Sequence, residues 1–406
     1  MRFSGFLTLT AATLALAHPG EKHDPVALQR EIRARDVHAI RAKHALHACS
    51  GSEDAVQLNR RNVARRARTT HELRMSRGIT ASPQKWRRDL AALEKWEAID
   101  HNKTGILDFA NSKPEETIFG GNTSAILAPT VTDGPYYVWG EIIRQDVREE
   151  EYCDGVDLFL EVQYIDVDTC RPIPGAFVDI WNANATGIYS RSGIVATGNE
   201  AANGWDSTYL RGIQETNEDG IVTFQTIFPG HYEGRATHTH LLTHLNASVN
   251  RNNGTLEVAT GSVAHIGQLF WNEVLRSAVE ETSPYNTNTQ DITTNADDMW
   301  SIEQASSEYD PFPEYVYLGQ GLEDGLFAWI QIGINASADY TDNSYYNIAA
   351  YYDENGGHQN TDSSAFGGGG GGGQGGAPSG APSGAVPSGA IPSGEVPTGT
   401  ASPSAA

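Results

Sequence analysis

Four short runs, each alternating or rich in β-branched and aromatic residues and each closed by turn chemistry, constrain this chain more than any other feature. They are Leu158–Asp166 (L-F-L-E-V-Q-Y-I-D), Ala176–Ala183 (A-F-V-D-I-W-N-A), Ile221–Ile227 and Leu326–Ile334. A strand turns successive side chains to opposite faces, so such a run has at least one face to bury. Breakers such as Asn217-Glu218-Asp219-Gly220 separate the runs, and Gly, Asn, Thr and Pro become frequent from about Asn102. The pattern predicts an all-β fold, a β-sandwich over residues 101–350, with a short helix around Gln268–Val279.

The flanks have a different texture. Residues 1–100 hold 18 Lys+Arg against 11 Asp+Glu, whereas the remaining 306 hold 10 against 40, giving the net −23. A body that acidic repels phosphates, so nucleic acid is excluded as a partner. Residues 1–17 carry Arg2, an apolar run from Phe6 to Leu16 and small residues before His18. That is the layout of a secretory signal peptide, and the apolar run is too short to span a bilayer. No membrane segment is expected, and the protein is expected outside the cell.

Residues 18–100 read as a basic helical arm or pro-segment, with helix spacing in Asp89–Ile99 and dibasic pairs at Arg60-Arg61, Arg65-Arg66 and Arg87-Arg88. The oligomeric state is not fixed by the sequence; the arm offers a surface for a dimer. Residues 351–406 read as a flexible tail, glycine-rich from Gly367 and then repeating A-P-S-G, which cannot bury enough apolar surface to fold. Six sequons, at Asn102, Asn122, Asn184, Asn246, Asn253 and Asn335, agree with secretion. Of three cysteines, Cys153 and Cys170 could close a short loop, which leaves Cys49 over.

The chemistry concentrates in Phe228–His240, F-P-G-H-Y-E-G-R-A-T-H-T-H. On a strand His238 and His240 point to one face, close enough to hold one ion. H-x-H also arises where two histidines merely share an exposed face, so the spacing alone leaves both readings open. Cleavage before His18 would create an amino-terminal histidine, the copper-binding feature of lytic polysaccharide monooxygenases. The residues after it, Pro19-Gly20-Glu21-Lys22, lead into a basic helix instead of a strand core.

Further pieces occur in order around that stretch: Asp133-Gly134-Pro135-Tyr136-Tyr137; Asp179-Ile180-Trp181-Asn182-Ala183-Asn184 with Gly187-Ile188-Tyr189-Ser190; Leu210-Arg211-Gly212; and Gly267-Gln268-Leu269-Phe270. Together the set resembles the intradiol ring-cleavage dioxygenases, non-haem iron enzymes that include catechol 1,2-dioxygenase and protocatechuate 3,4-dioxygenase. The resemblance covers roughly Asp133–Trp271.

It implies an Fe(III) cofactor held by Tyr189, Tyr232, His238 and His240, with Arg235 stabilising negative charge on the substrate ring and Gln268 nearby. Phenolates are hard anionic donors that suit a hard, high-valent cation. It also implies that a catechol displaces Tyr232 from the metal, that O₂ attacks the activated ring, and that cleavage between the hydroxylated carbons gives a cis,cis-muconate. Only Glu233 and Gly234 separate Tyr232 from Arg235, where cytosolic members often carry a longer insert. With the signal peptide and tail, this resembles a secreted fungal-type branch, and the shorter loop predicts a more open pocket. The Asn184 sequon, five residues before Tyr189, raises the expectation of a glycan near the site. The competing reading is a non-catalytic, wall-associated β-sandwich with a vestigial iron site.

Overall fold

A computed structural model describes residues 25–79, 99–106, 119, 124–125, 133–150, 152–190, 204–250, 254–257, 260–304, 310–342, 346–353 and 356–361. Two helices come first, α1 (Pro25–Cys49) and α2 (Glu53–Ser76). Strands β1 (Ser124–Ala125), β2 (Val138–Trp139), β3 (Asp157–Asp166), β4 (Phe177–Trp181) and β5 (Arg211–Glu215) follow. Then come β6 (Ile221–Ile227), β7 (His238–Leu245), β8 (Val249–Asn250), β9 (Thr255–Leu256) and β10 (Ser262–Phe270). Helices α3 (Glu273–Glu280) and α4 (Met299–Gln304) precede β11 (Glu314–Tyr317), β12 (Leu326–Ile334), β13 (Ala350–Asp353) and β14 (Gly356–Gln359).

Two sheets make the expected sandwich. The first runs β1-β12-β3-β6, with β11 and β1 sharing one edge of β12 end to end; the second runs β10-β7-β4-β5 and is antiparallel throughout. Alternation assigns the faces. Leu158, Leu160, Val162 and Tyr164 of β3 meet Val178 and Ile180 of β4 and Leu241 of β7 in the core between the sheets. The intervening residues of β3, Glu161 and Gln163, face the other way and are still buried, because α2 covers them.

That cover is polar as well as apolar. Arg66 Nε donates to Glu161 Oε1 at 2.8 Å and Arg65 Nη2 to the same oxygen at 2.9 Å, while Asn62 Nδ2 donates to Gln163 Oε1 at 2.7 Å. Val63 packs with Phe327 and Trp329. Burial alone would raise the Glu161 pKa; Arg66 and Arg65 more than offset it and hold the carboxyl below its usual range. The arm is therefore a layer of the fold, and the dibasic pair Arg65-Arg66 is bonded into it.

Three expectations need correction. The disulfide joins Cys49 to Cys170, and Cys153 is the free thiol; α1 ends beside the β3–β4 turn, so the cysteine distant in sequence is the near one in space. The helix expected over Gln268–Val279 begins only at Glu273. Residues up to Phe270 pair with β7, and Asn272 Oδ1 caps the helix by accepting from Leu275 N at 3.1 Å. Strands continue to Gln359, past the boundary expected at residue 350, with β13 pairing β2 in parallel. Asn184 is 5% exposed and its Oδ1 accepts from Thr186 N, Thr186 Oγ1 and Ile188 N. Its side-chain oxygen is committed to an Asx turn. The signal peptide, His18, residues 89–98 of the expected helix, Arg87-Arg88 and the tail from residue 362 lie outside the described residues. Among the described residues no helix is long and apolar enough to cross a membrane.

Candidate metal centre

Strand β7 is buried along its whole length, which one core cannot explain. Leu241 and Leu245 face the sandwich interior, and the alternate residues His238, His240, Leu242 and His244 face outward beneath loops. The loops carry aromatic residues: Leu242 sits in a second cluster with Tyr136, Tyr137, Trp181, Tyr189 and Tyr232. The H-x-H pair thus lies on the outer face of the second sheet, with a roof made from the motifs around it.

Two glycines bring that roof together. Gly187, at φ +80°, lies where a side chain would run into the His231 carbonyl, and a side chain at Gly230 would run into that of Asn184. Only hydrogen at both positions lets the loops bearing Tyr189 and Tyr232 touch. Their ring centroids are 5.6 Å apart. Arg211 fixes the first loop further, donating from Nε to Ser190 Oγ at 2.9 Å and from Nη2 to Ser190 O at 2.8 Å.

The polar atoms converge on His238 Nε2. It lies 3.0 Å from His240 Nε2, 3.3 Å from Tyr232 Oη, 3.4 Å from Tyr189 Oη and 3.4 Å from Arg235 Nη1. His238 Nδ1–H donates to the Ala236 carbonyl at 2.6 Å, and a carbonyl can only accept. That bond sets the tautomer and leaves the Nε2 lone pair turned toward His240, Tyr232 and Tyr189. Metal–nitrogen bonds of about 2.0–2.1 Å, roughly at right angles, place two nitrogens about 3 Å apart, which is the spacing found here. Two imidazoles and two phenols therefore fit one small cation. No trio of His, Cys, Asp or Glu gathers among the described residues, so such a centre depends on its phenols.

Burial pushes the Tyr189 phenol well above its usual pKa, and pushes Tyr232 up to about 12 although Arg235 opposes the shift. Only a bound multivalent cation would ionise both near neutral pH. Flat neighbours hold the donors in place. Trp181 stacks on His240 at 4.7 Å and 4°, and Tyr136 on Tyr189 at 4.4 Å and 13°. The four donor residues are at most 2% exposed.

Arg235 is wholly buried. Its Nη2 donates to Gln268 Oε1 and its Nε to Asp298 Oδ2 at 2.9 Å. Gln268 pairs across the sheet with His240, which brings it in from beyond a variable stretch. All six residues singled out from the sequence thus come together. Reading the sequence alone missed Asp298, sixty-three positions from Arg235, whose only local signal is that of a residue preceding a short helix. It also gave Trp181 and Tyr136 no role, because stacking leaves no spacing signature.

A family model described as Dioxygenase matches residues 132–253. An intradiol ring-cleavage dioxygenase from Tetranychus urticae is 32% identical, over 53% of this chain and 97% of that one, with a TM-score of 0.42. The chain belongs to the intradiol ring-cleavage dioxygenases. The dioxygenase domain of a carbohydrate-binding fusion protein from Streptomyces sp. SirexAA-E is 21% identical, over 50% and 96% of the two chains, with a TM-score of 0.30. Catechol 1,2-dioxygenase from Acinetobacter sp. ADP1 is 18% identical, over 54% and 65%, with a TM-score of 0.31. Comparison with curated proteins returned no match. As an intradiol dioxygenase the chain adds a disulfide-anchored helical layer, α1 and α2, ahead of the region that its family model matches.

Proposed function

We propose that the protein is a secreted ferric enzyme that opens catechol-type rings between their two hydroxylated carbons with O₂, giving cis,cis-muconate-type products. The observation that carries this reading is the convergence of Tyr189, Tyr232, His238 and His240 beside a buried arginine. Ferric iron, when bound, supplies a Lewis acid and template for a catecholate. Tyr189, His238 and His240 would hold it in this reading. Tyr232, at a turn joined to Arg235 by the Arg235 N–H bond to its carbonyl at 3.3 Å, would be the fourth donor and the one to take a substrate proton on its Oη.

Arg235 offers a fixed cation to negative charge developing on the ring, in a site where water does not screen it. Gln268 and Asp298 hold its fork. The stacked Trp181 and Tyr136 keep His240 and Tyr189 from turning out of line. Secretion is supported by the Cys49–Cys170 bond, since disulfides persist in oxidising compartments, and by the leader-like first 17 residues. Of the sequons, Asn246 lies in an exposed turn where a glycan has room.

Oxygen uptake with a panel of catechols, followed by mass analysis of products formed under labelled O₂, tests the reaction. The expected product carries both oxygen atoms and a ring opened between the hydroxyl-bearing carbons. Absence of uptake by iron-loaded protein across the panel would favour the competing reading, a sandwich with a vestigial centre.

A further inference from the structure

We infer that Asp298 is a positioning residue for the ring-cleavage reaction: it sets the orientation of the Arg235 guanidinium and steadies the segment that orients His238. The inference rests on the reading of the site as a ferric dioxygenase centre and concerns a residue outside the metal-binding set.

The two oxygens of Asp298 have separate duties. Oδ2 accepts from Arg235 Nε at 2.9 Å and from Ala236 N at 2.7 Å. Oδ1 accepts from Trp300 N at 2.8 Å and Ser301 N at 3.2 Å, capping α4. A guanidinium presents its N–H groups in a rigid plane, so fixing the Nε edge decides where the remaining nitrogens point. With Nε held by Asp298, Nη2 meets Gln268 and Nη1 stands 3.4 Å from His238 Nε2, on the donor side of the centre. The Ala236 bond matters as much. The carbonyl of that same residue accepts from His238 Nδ1–H, so one carboxylate oxygen ties down both the charge-stabilising arginine and the backbone that sets the histidine tautomer.

The carboxylate is itself held. Side chains of Arg235 and Asp298 are both 0% exposed. The loop that delivers Asp298 is stitched to the end of β10 and to α3. Asn295 Nδ2 donates to Trp271 O at 2.8 Å, Asn295 N to Glu273 Oε1 at 2.6 Å, and Arg276 Nη2 to Thr293 O at 2.6 Å. A buried counter-charge alone would need none of this directional bracing. The arrangement fixes an angle as well as neutralising a charge.

The test compares wild type with Asp298→Ser and Asp298→Asn, each also placed on Arg235→Ala, using full-length, iron-loaded protein. Serine keeps the helix cap but is too short to reach Arg235, which separates the cap from the positioning contact. We expect folded protein with wild-type iron content and a resting visible spectrum close to wild type. We also expect kcat for catechol to fall about tenfold to a hundredfold with a smaller change in KM, the usual cost of losing a second-layer partner. On Arg235→Ala the Asp298 substitutions should lower kcat less than they do on wild type, the remaining loss being the share that runs through Ala236 and His238. Wild-type kcat in Asp298→Ser, or an equal loss in both backgrounds, would overturn the inference. If Asp298→Ser does not accumulate folded, the isosteric Asp298→Asn decides by the same readings. Colourless, inactive wild type would sink the ferric reading itself, a result distinct from active wild type with fully active variants.

Discussion

His238 shows how much chemistry one backbone contact can settle. Its Nδ1–H bond to Ala236 O, two residues back on the same chain, leaves Nε2 facing His240, Tyr232 and Tyr189 before any metal arrives. Of the two phenols, Tyr232 is on the mobile side of the proposed chemistry, since it sits on a turn, whereas Tyr189 is clamped beneath Tyr136 and beside Ser190 and Arg211. Tyr232→Phe should therefore keep iron while shifting the visible band and slowing turnover about a hundredfold, the lower range for losing a positioned proton acceptor. Iron titration followed by absorbance and oxygen uptake checks this; an unchanged spectrum would remove Tyr232 from the donor set. At this scale the sequence was most informative. The P-G-x-Y, G-x-Y and H-x-H patterns are local, and what they encode, a turn, a glycine at a close approach and two side chains on one strand face, is local too. Asp298 was hidden because its partner is set by tertiary folding and no periodicity marks it.

Helix α2 and strand β3 form the pair of elements on which the flank of the fold depends. Glu161 is a 0% exposed carboxylate between Arg65 and Arg66. Removing it strands buried positive charge, so Glu161→Ala should cost about 3–5 kcal/mol in urea unfolding. The sign of its pH dependence follows from the lowered pKa of Glu161 in the folded state. Its contribution is complete above the ordinary glutamate range and is lost as pH falls through the folded value. Wild type should lose stability on acidification below that range, and Glu161→Ala should lack that part of the loss. Urea midpoints measured from neutral pH downward decide it. Strand positions were legible in the sequence: Ile221–Ile227 and Leu326–Ile334 match β6 and β12, and Leu158–Asp166 falls one residue short of β3. Alternation is a property of the strand itself. The charged face of α2 read only as part of a basic arm or pro-segment because its partner, Glu161, lies 95 residues from Arg66.

The described residues form layers: α2, the first sheet, the core, the second sheet, and the loops over the candidate metal centre. The Cys49–Cys170 bond ties the first of these layers to the sandwich over a separation of 121 residues. Loop-closure entropy for so long a span places its contribution within about 2–5 kcal/mol, so Cys49→Ser should lower the unfolding free energy by that amount while leaving the metal centre intact. Equal stability of Cys49→Ser and wild type would mean that the link does not restrain the unfolded chain. Sequence distance misled here, because it favoured the short Cys153–Cys170 loop while α1 brings Cys49 to the β3–β4 turn. The central claim concerns the other end of the layered stack, where two phenols and two imidazoles meet. The visible absorbance spectrum of aerobic, iron-loaded protein tests it most directly. One iron per chain with a broad phenolate-to-iron charge-transfer band is the predicted result, and a colourless protein with stoichiometric iron would contradict it.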